Sequence, residues 1–529
     1  MYTTLYIIGF ALAWGYYTAL KSRKSIHMLQ QNSYRNERYF KWINEHSRRV
    51  FTTRELLPLL SIFLFIYGTK LNAVLAFISF YLLLSILKDK EVEKKPLTVT
   101  PRVKRLFVTT ALLYATVFLI SVYFTGFKKA EVTFVVAVLT LSSYLNYHII
   151  SLVNKINLPI EKRINQKYIN EASRIVRSIP RLRVVGVTGS YGKTSVKHIL
   201  HTVLTSKYHA LMTPESYNTP LGVTITIRNM LKPIHEVFIA EMGAKQEGDI
   251  KEICDLVDQK YGIVTAVGPQ HLETFKSIET IKKTKFEIIE TLPPDGVGFV
   301  NCDDQNSISY SIKNKVKIVY FGIDNELADV RALNINYGAD GATFDIVIKD
   351  GQSSQFTSKL LGKHNIYNIL AAVAVGLEMG ISLEKMASAV KKAKPVKHRL
   401  ELKKRDGDVT IIDDSFNSNP TGSKMAIEVL GSMPGKKILV TPGMIELGEK
   451  EFELNKAFGE HAGKVCDYII LVGKKQTTPI QEGLKAVEFN DKNLYIAIDL
   501  NDAIAHLNQV VEKGSFVLFE NDLPDTFNE

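Results

Sequence analysis

The chain has 529 residues, too many for one hydrophobic core, so about three or four domains are expected. Its formal charge of +12 does not mark a nucleic-acid binder, because the basic residues of the first third (Lys21, Arg23, Lys24, Arg35, Arg38, Lys41, Arg48, Arg49 and Arg54) lie between apolar segments, which is a membrane pattern. The three cysteines, Cys254, Cys302 and Cys466, are far apart and form no CxxC pair, which excludes a zinc cluster and suits reduced thiols in a cytosolic core.

Residues 1–153 are expected to lie in a bilayer. Residues 3–20 carry no charge, and 106–125 and 132–153 are apolar runs, each about the length a helix needs to cross the hydrocarbon layer. The run 56–87 is too long for one crossing and is broken by Gly68-Thr69-Lys70-Leu71-Asn72, so it reads as a hairpin of two helices. Its first arm, 51–67, spans only if Arg54 snorkels to the headgroups, and a re-entrant arm is the competing reading. Charge arbitrates between them. Five crossings with the N-terminus outside put the basic loops 21–55 and 88–105 on one side with everything after Val153, leaving only the turns near Lys70 and at Lys128-Lys129 opposite. Four crossings would expose loop 21–55 against the positive-inside rule. The expectation is a multi-pass plasma-membrane protein with five helices and cytoplasmic catalytic domains. A signal peptide does not fit, since no basic residue precedes the first apolar segment and no A-x-A site follows it. Asn146 and His148, near the cytoplasmic end of the last span, suit an interfacial or interhelical hydrogen bond better than a proton relay.

Residues 154–181 form a linker. Apolar residues at 160, 164, 168, 172, 175, 176 and 179 oppose basic ones at 162, 163, 167, 174 and 177, giving an amphipathic helix that lies on the membrane or caps the next domain, and Pro180 ends it.

Residues 182–394 alternate apolar strands with helical patterns, as in a mostly parallel sheet covered on both faces. The central stretch is Val184-Val185-Gly186-Val187-Thr188-Gly189-Ser190-Tyr191-Gly192-Lys193-Thr194-Ser195: a β-branched strand, a glycine loop and the start of a helix. Gly189 and Gly192 let backbone N–H groups face phosphate, Lys193 reaches the β/γ-phosphates and the Thr194 hydroxyl is placed to ligate Mg²⁺. The strict P-loop spelling has glycine where this chain has Val187. A further buried strand ends at Glu241, a carboxylate on the same sheet edge, and another leads from Tyr261 to Val267 and then to His271, which alone reads as a hydrogen-bonded loop histidine. Stretches 332–337, 343–348 and 356–361 alternate with period two and are expected to form a small antiparallel sheet appended to the parallel one. Asn365 and Asn368 open an alanine-rich helix where an amide can read the adenine edge, with an N-cap role the alternative for Asn365. Residues 395–529 repeat the strand and helix alternation as a smaller Rossmann-like domain, with Asp413 and Asp414 at a strand end.

Taken together, several motifs resemble the Mur ligases, ATP-dependent enzymes that add amino acids to cell-wall precursors, and most closely the D-alanyl-D-alanine-adding branch. Besides the phosphate loop they are Asn218-Thr219-Pro220-Leu221-Gly222, Glu241-Met242-Gly243-Ala244, His271-Leu272-Glu273, Lys285-Phe286-Glu287, Gly362-Lys363-His364-Asn365-Ile366-Tyr367-Asn368, His398-Arg399-Leu400-Glu401 and Asp413-Asp414-Ser415-Phe416-Asn417-Ser418-Asn419-Pro420. The family's loop omits the first glycine, which accounts for Val187. The resemblance implies an α/β ligase with a P-loop central domain and a Rossmann-like C-terminal domain, which joins the α-helical membrane domain expected from hydropathy. It implies ATP contacts at Gly189, Ser190, Gly192, Lys193, Thr194, Ser195, Asn218, Asn365, Asn368, Arg399 and either Asp414 or Asp413. It also implies one Mg²⁺ on Thr194 and Glu241, and a second on His271 and on Lys285 carrying CO₂ as a carbamate, with Lys193, Lys285 and His271 catalytic. Without the family, Lys285 would read as part of a solvated lysine-rich helix face.

Two features depart from the family pattern: membrane helices stand where the sugar-nucleotide domain would be, and the tail from Leu518 lacks the branch's basic Lys-Gly-Ser segment. The expected activity is ATP-driven amide formation, through an acyl phosphate, between an amino acid or dipeptide and a small-molecule or lipid-linked carboxylate, with no nucleic-acid partner. A poly-γ-glutamate-type capsule synthetase and a nucleotide-binding membrane scaffold are the rivals; intact Lys193, Thr194, Glu241, His271 and Lys285 speak against the scaffold. No residue stands out as a general base.

Overall fold

The computed structural model describes residues 2–87, 96–125, 132–270, 272–338, 341–405, 407–416, 418–445 and 447–522. Residues 88–95 of the second basic loop, the turn at Lys128 and Lys129, and His271 lie outside them. The chain forms two compact units, Met1–Gln166 and Lys167–Leu523.

The described part of the first unit is helical. Phe10 on the long helix Tyr2–Gln31 stacks on Phe77 of Lys70–Ile86 with ring centroids 4.2 Å apart, and Trp14 Nε1 donates to the Leu139 carbonyl at 2.8 Å. Such aromatic pairs contribute about 0.5–1.5 kcal/mol beyond their buried area. Among the described residues, Pro101–Tyr123 is the one helix long and apolar enough to cross a bilayer by itself, and 22% of its most apolar stretch is buried. Leu12, Phe63, Tyr67, Leu112, Leu119 and Tyr123 also point away from the interior.

Two expected spans take a different form. The stretch 132–153 breaks at Leu145 into Val132–Tyr144 and Asn146–Arg177, and the two helices are bent by 73°. The bend seats Asn146 where its amide donates to Ser22 Oγ and Tyr114 Oη, both at 2.8 Å, while accepting from Ser25 Oγ at 2.6 Å. This is an interhelical bond of the kind expected for Asn146, whereas His148 is exposed and stacked on Phe40 and Phe51. The first arm of the hairpin is a 3₁₀ helix, Thr53–Leu60, with Pro58 inside it, followed by a seven-residue α-helix, Ser61–Tyr67. Pro58 lacks the N–H that a longer α-helix would use. Glu55 turns inward, pairs with buried Lys21 and accepts from Tyr17 Oη at 2.8 Å.

In the second unit the strands are β1 (Arg183–Thr188), β2 (Ala210–Met212), β3 (Val237–Glu241), β4 (Tyr261–Val264), β5 (Val297–Asn301), β6 (Lys317–Gly322), β7 (Val330–Gly338), β8 (Gly341–Ile348), β9 (Ser353–Ser358), β10 (Glu401–Arg405), β11 (Val409–Asp414), β12 (Lys437–Thr441), β13 (Tyr468–Val472), β14 (Leu494–Ala497) and β15 (Phe516–Glu520). The first nine form one sheet in the order β2-β3-β1-β4-β5-β6-β7-β8-β9, parallel as far as β7. The antiparallel strands β7 to β9 are appended to the parallel part as expected, forming the far edge of the same sheet, because β7 hydrogen-bonds in register to Phe321 and Gly322 of β6. The others form a second sheet, β10-β11-β15-β12-β13-β14, parallel except at β10. Helices cover both faces of the parallel part, which is why β1, β3, β4 and β5 are buried almost throughout.

From Lys167 on, the helix Asn146–Arg177 caps this unit: Ala172 and Val176 are buried in the core against β3 and the helix Asp249–Val257, with Ile169, Ile175 and Ile179 packed alongside. Of the two uses expected for this segment, capping is the one seen for its C-terminal half.

Candidate active site

The sheet order brings three strand ends together. Glu241 on β3 is in register with Val187 on β1, and Thr188 with Val264 on β4, so the loop 189–192 leaves the sheet between a carboxylate and the Thr265 hydroxyl. Gly189 has φ +146°, and a Cβ there would meet Thr265 Oγ1 at 2.0 Å; Gly192 has φ +80°, and its Cβ would meet Asn368 Oδ1 at 2.6 Å. Both positions require glycine. Thr265, which the sequence did not single out, braces the loop: its hydroxyl donates to the Tyr191 carbonyl and lies 3.2 Å from that of Thr188. Ser190 Oγ exchanges bonds with Gly268, donating to its carbonyl at 2.9 Å and accepting from its N–H at 3.0 Å. Ser195 follows in the helix Lys193–Leu204.

Lys193 curls back over this loop, donating to the carbonyls of Gly189 at 2.6 Å and Ser190 at 3.2 Å. Burial pulls its ammonium down to about 8, with Glu241 opposing and Arg399 adding to the effect. Phosphate oxygens arriving at the loop would supply the charge this cation lacks.

Glu241 is the centre of the site. Its Oε1 accepts from Thr194 Oγ1 at 3.2 Å and Asn218 Nδ2 at 3.0 Å, and its Oε2 is 2.9 Å from Lys197 Nζ. Burial alone would raise this acid, yet Lys197 and Lys193 outweigh it and hold Glu241 below its ordinary value. Lys197 is fully buried and also donates to the Glu215 carbonyl. The sequence reading passed over it, although its place one residue after Val196 and three before Leu200, on the buried face of its helix, was the available signal. An ionised carboxylate beside a hydroxyl is the hard-oxygen donor set that Mg²⁺ prefers, so Thr194 and Glu241 fit the expected ion.

Lys285 lies on the helix Ile278–Glu290 and is 2% exposed. Its neighbours Lys282 and Lys283 pair with Glu279 and Glu247, but Lys285 has no hydrogen-bond partner among the described residues; its amine sits 6.0 Å from the Phe275 ring centroid. Burial and then nearby Lys193 push it far below the ordinary lysine value, against Asp249 and Glu287. The solvated-face alternative does not hold for this residue.

Asn365 is not an N-cap. The helix Lys363–Glu378 is capped by Gly362, and the Asn365 amide donates back to the Leu361 carbonyl at 2.8 Å while accepting from Asn368 Nδ2 at 3.1 Å. Asn365, Ser195, Ile199, Leu361, Pro395 and Arg399 line one small cavity of mixed polar and apolar character.

Arg399 comes from the second sheet's side and reaches Thr194 Oγ1 at 3.4 Å, with its guanidinium 4.8 Å from the Phe416 ring. His398 (φ +60°) and Leu400 (φ +46°) flank it in the left-handed region, a strained conformation of the kind retained at functional turns. The two aspartates divide. Asp413 is engaged by Lys403, by Ser415 Oγ at 2.6 Å and by His398 Nδ1 at 2.8 Å, and these bonds hold it at about 2 although burial pushes the other way. Lys403 thereby supplies the cation for the cluster of His398, Glu401 and Asp413. Asp414 accepts the Leu400 N–H at 3.2 Å and is raised to about 6, chiefly by burial, with Arg399 pulling down. Of the two, Asp414 is the one turned toward Arg399.

Residues 187–376 match the Mur ligase middle domain and residues 398–520 the Mur ligase glutamate ligase domain. The chain is 31% identical over 345 residues to the UDP-N-acetylmuramoyl-tripeptide–D-alanyl-D-alanine ligase of Bacillus subtilis (64% of this chain, 72% of that one) and 30% identical over 348 residues to that of Escherichia coli (65% and 76%). Its fold is similar to that of MurF ligase from Thermotoga maritima in complex with ADP, with a TM-score of 0.61 and 26% identity over 68% of this chain and 80% of that one.

Proposed function

Since the chain belongs to the Mur ligase family, and is an ATP-dependent acid–amino-acid ligase of cell-wall precursor synthesis, we propose that it works at the cell membrane as a multi-pass protein with cytoplasmic catalytic domains, on a lipid-linked carboxylate and an amino acid or dipeptide amine. The observation that carries the ligase chemistry is the convergence of Lys193, Thr194, Glu241 and Arg399 from two domains on one phosphate loop.

In this reading the loop amides and Lys193 cradle the nucleotide phosphates, Asn365 faces the purine, and Asp414 faces the ribose beside Arg399. Mg²⁺ on Thr194 and Glu241 would neutralise the transferring phosphoryl oxygens. Arg399 ties the second domain to the loop, excluding water from an acyl phosphate that would otherwise hydrolyse. Lys285, a buried amine whose protonated form burial disfavours, is suited to adding CO₂ as a carbamate and so becoming an anion beside a second Mg²⁺, with His271 as its fellow ligand. ¹³C-bicarbonate should then give a carbamate resonance that Lys285→Ala lacks; no such resonance would remove Lys285 from the metal site.

Support for the membrane part is the largely unburied apolar helix Pro101–Tyr123 and the basic loop 21–55 between apolar segments. The test compares UDP-N-acetylmuramoyl-tripeptide with its undecaprenyl-linked counterpart, each with D-alanyl-D-alanine. Phosphate release that requires both substrates and is lost in Lys193→Ala supports the ligase; preference for the soluble acceptor would overturn the lipid-linked reading, and turnover without acceptor the ligase reading.

A further inference from the structure

Glu520 ends β15, the strand between β11 and β12, at the carboxyl edge where open α/β sheets bind their ligands. It pairs in register with Asp414 of β11. Its side chain is 1% exposed, and no lysine or arginine pairs with it among the described residues. Hydroxyl groups converge on it instead: Ser418 donates to Oε1, and Thr441 Oγ1 at the end of β12 donates to Oε2 at 2.9 Å. Ser418 is half-buried, and its Oγ is 2.6 Å from Ser423 Oγ. Asn521 fastens the neighbouring loop by donating from Nδ2 to the Gly443 carbonyl at 2.6 Å. On the other side, Thr421 faces the phenol of Tyr191 on the phosphate loop. Ser418 therefore stands in a loop that runs from a buried carboxylate to the nucleotide site.

Amide formation needs a base here. An amine substrate is an ammonium ion near neutral pH and attacks only after losing a proton. Of the other carboxylates near the phosphate loop, Glu241 is committed to Lys197, Thr194 and Asn218, Asp413 to Lys403, His398 and Ser415, and Asp414, which accepts the Leu400 N–H beside Arg399, is given to the ribose in the reading above.

We infer that Glu520, acting through the Ser418 hydroxyl, is the proton acceptor for the incoming amine. This rests on the ligase reading above. Ser418 Oγ accepts a proton from the ammonium group as its own passes to Glu520 Oε1, so R–NH₃⁺ and the carboxylate become R–NH₂ and the carboxylic acid. The freed nitrogen pair forms the C–N bond, the C–O bond to phosphate breaks, and the second N–H proton leaves with the phosphate. Burial places the Glu520 acid at about 7, with Asp414 raising it and the Ser418, Ser423 and Thr441 hydroxyls opposing, so base and acid forms interconvert near neutral pH.

Two nucleophiles test this in the full-length protein with ATP, Mg²⁺ and either acceptor above: D-alanyl-D-alanine, which must be deprotonated, and hydroxylamine, which is already neutral at pH 7. Glu520→Gln should lower the kcat for the dipeptide about 100-fold or more at pH 7, recovering as pH rises, while hydroxamate formation changes less than about threefold. Glu520→Asp should keep part of the dipeptide rate with a displaced pH profile. Equal loss with both nucleophiles would reduce Glu520 to a packing role, and an unchanged dipeptide rate in Glu520→Gln would overturn the relay outright. A wild-type protein that forms neither amide nor hydroxamate would instead overturn the ligase reading beneath it.

Discussion

Lys197 touches no expected phosphate position, yet it governs the charge of Glu241, the carboxylate proposed to hold Mg²⁺. With its ammonium 2.9 Å from Glu241 Oε2 and no exposed surface, it keeps that carboxylate ionised and waiting. Removing one partner of a buried pair costs more than the pair is worth, because the other charge is stranded. Lys197→Met should therefore lose on the order of 3 kcal/mol in urea unfolding without Mg²⁺, and added Mg²⁺ should restore part of it by taking over as counter-charge. Stability independent of both substitution and ion would show that Asn218 and Thr194 suffice. Glu520 behaves oppositely. The folded chain keeps its proton up to about 7 where the unfolded chain loses it near 4.5, so folding binds a proton between those values and stability falls as pH rises through that window, levelling above it. The total is roughly 3 kcal/mol at about 1.4 kcal/mol per pH unit. Glu520→Gln, which cannot ionise, should gain Tm relative to the parent chain from pH 5 to pH 8; parallel curves would mean that Glu520 is not perturbed.

At the level of elements, what the sequence showed was local. The phosphate loop was readable because strand, glycines and helix start are contiguous, and β7 to β9 because their side chains alternate over a half-covered surface. What it hid depends on partners far along the chain: the bend at Leu145 that seats Asn146 among Ser22, Ser25 and Tyr114, and the brace from Thr265. Periodicity carries no information on such pairs. Two glycines separate backbone strain from collision. Gly192→Ala adds a Cβ 2.6 Å from Asn368 Oδ1 at φ +80°, whereas Gly248→Ala, at φ +88°, meets nothing within 4 Å. Both should cost about 1–2 kcal/mol of stability, but only Gly192→Ala should weaken ATP binding, by tenfold or more in titration calorimetry, because it alone pushes the Lys363–Glu378 helix off the loop. Equal ATP affinity in the two variants would show that Asn368 moves aside freely.

For the whole molecule, the question is where the catalytic unit begins. The helix Asn146–Arg177 serves the first unit with its start and the second with its end: Ala172 and Val176 are buried in the ligase core, Glu171 is 3.1 Å from Arg228 Nε, and the Arg228 guanidinium lies 4.2 Å from the Tyr168 ring. Arg228 sits on the helix Pro220–Met230, which opens just after Asn218, the residue that donates to Glu241. A chain cut to begin at residue 167 keeps all of these contacts and should fold, bind ATP and stay in the soluble fraction. One cut to begin at 182 loses them together with the packing of Ile169, Ile175 and Ile179, an expected deficit of several kcal/mol at about 1.5–3 kcal/mol per fully buried aliphatic side chain. Differential scanning calorimetry of the two pieces checks this, and equal Tm values would show that the helix end is dispensable. The longer piece also isolates the role of residues 1–166. If they serve to bring a lipid-linked acceptor to the site, the piece from 167 should join D-alanyl-D-alanine to a water-soluble acceptor as fast as the full chain, yet lose most of its rate on the undecaprenyl-linked one in vesicles. Equal loss on both acceptors would mean that the helical unit shapes the active site itself.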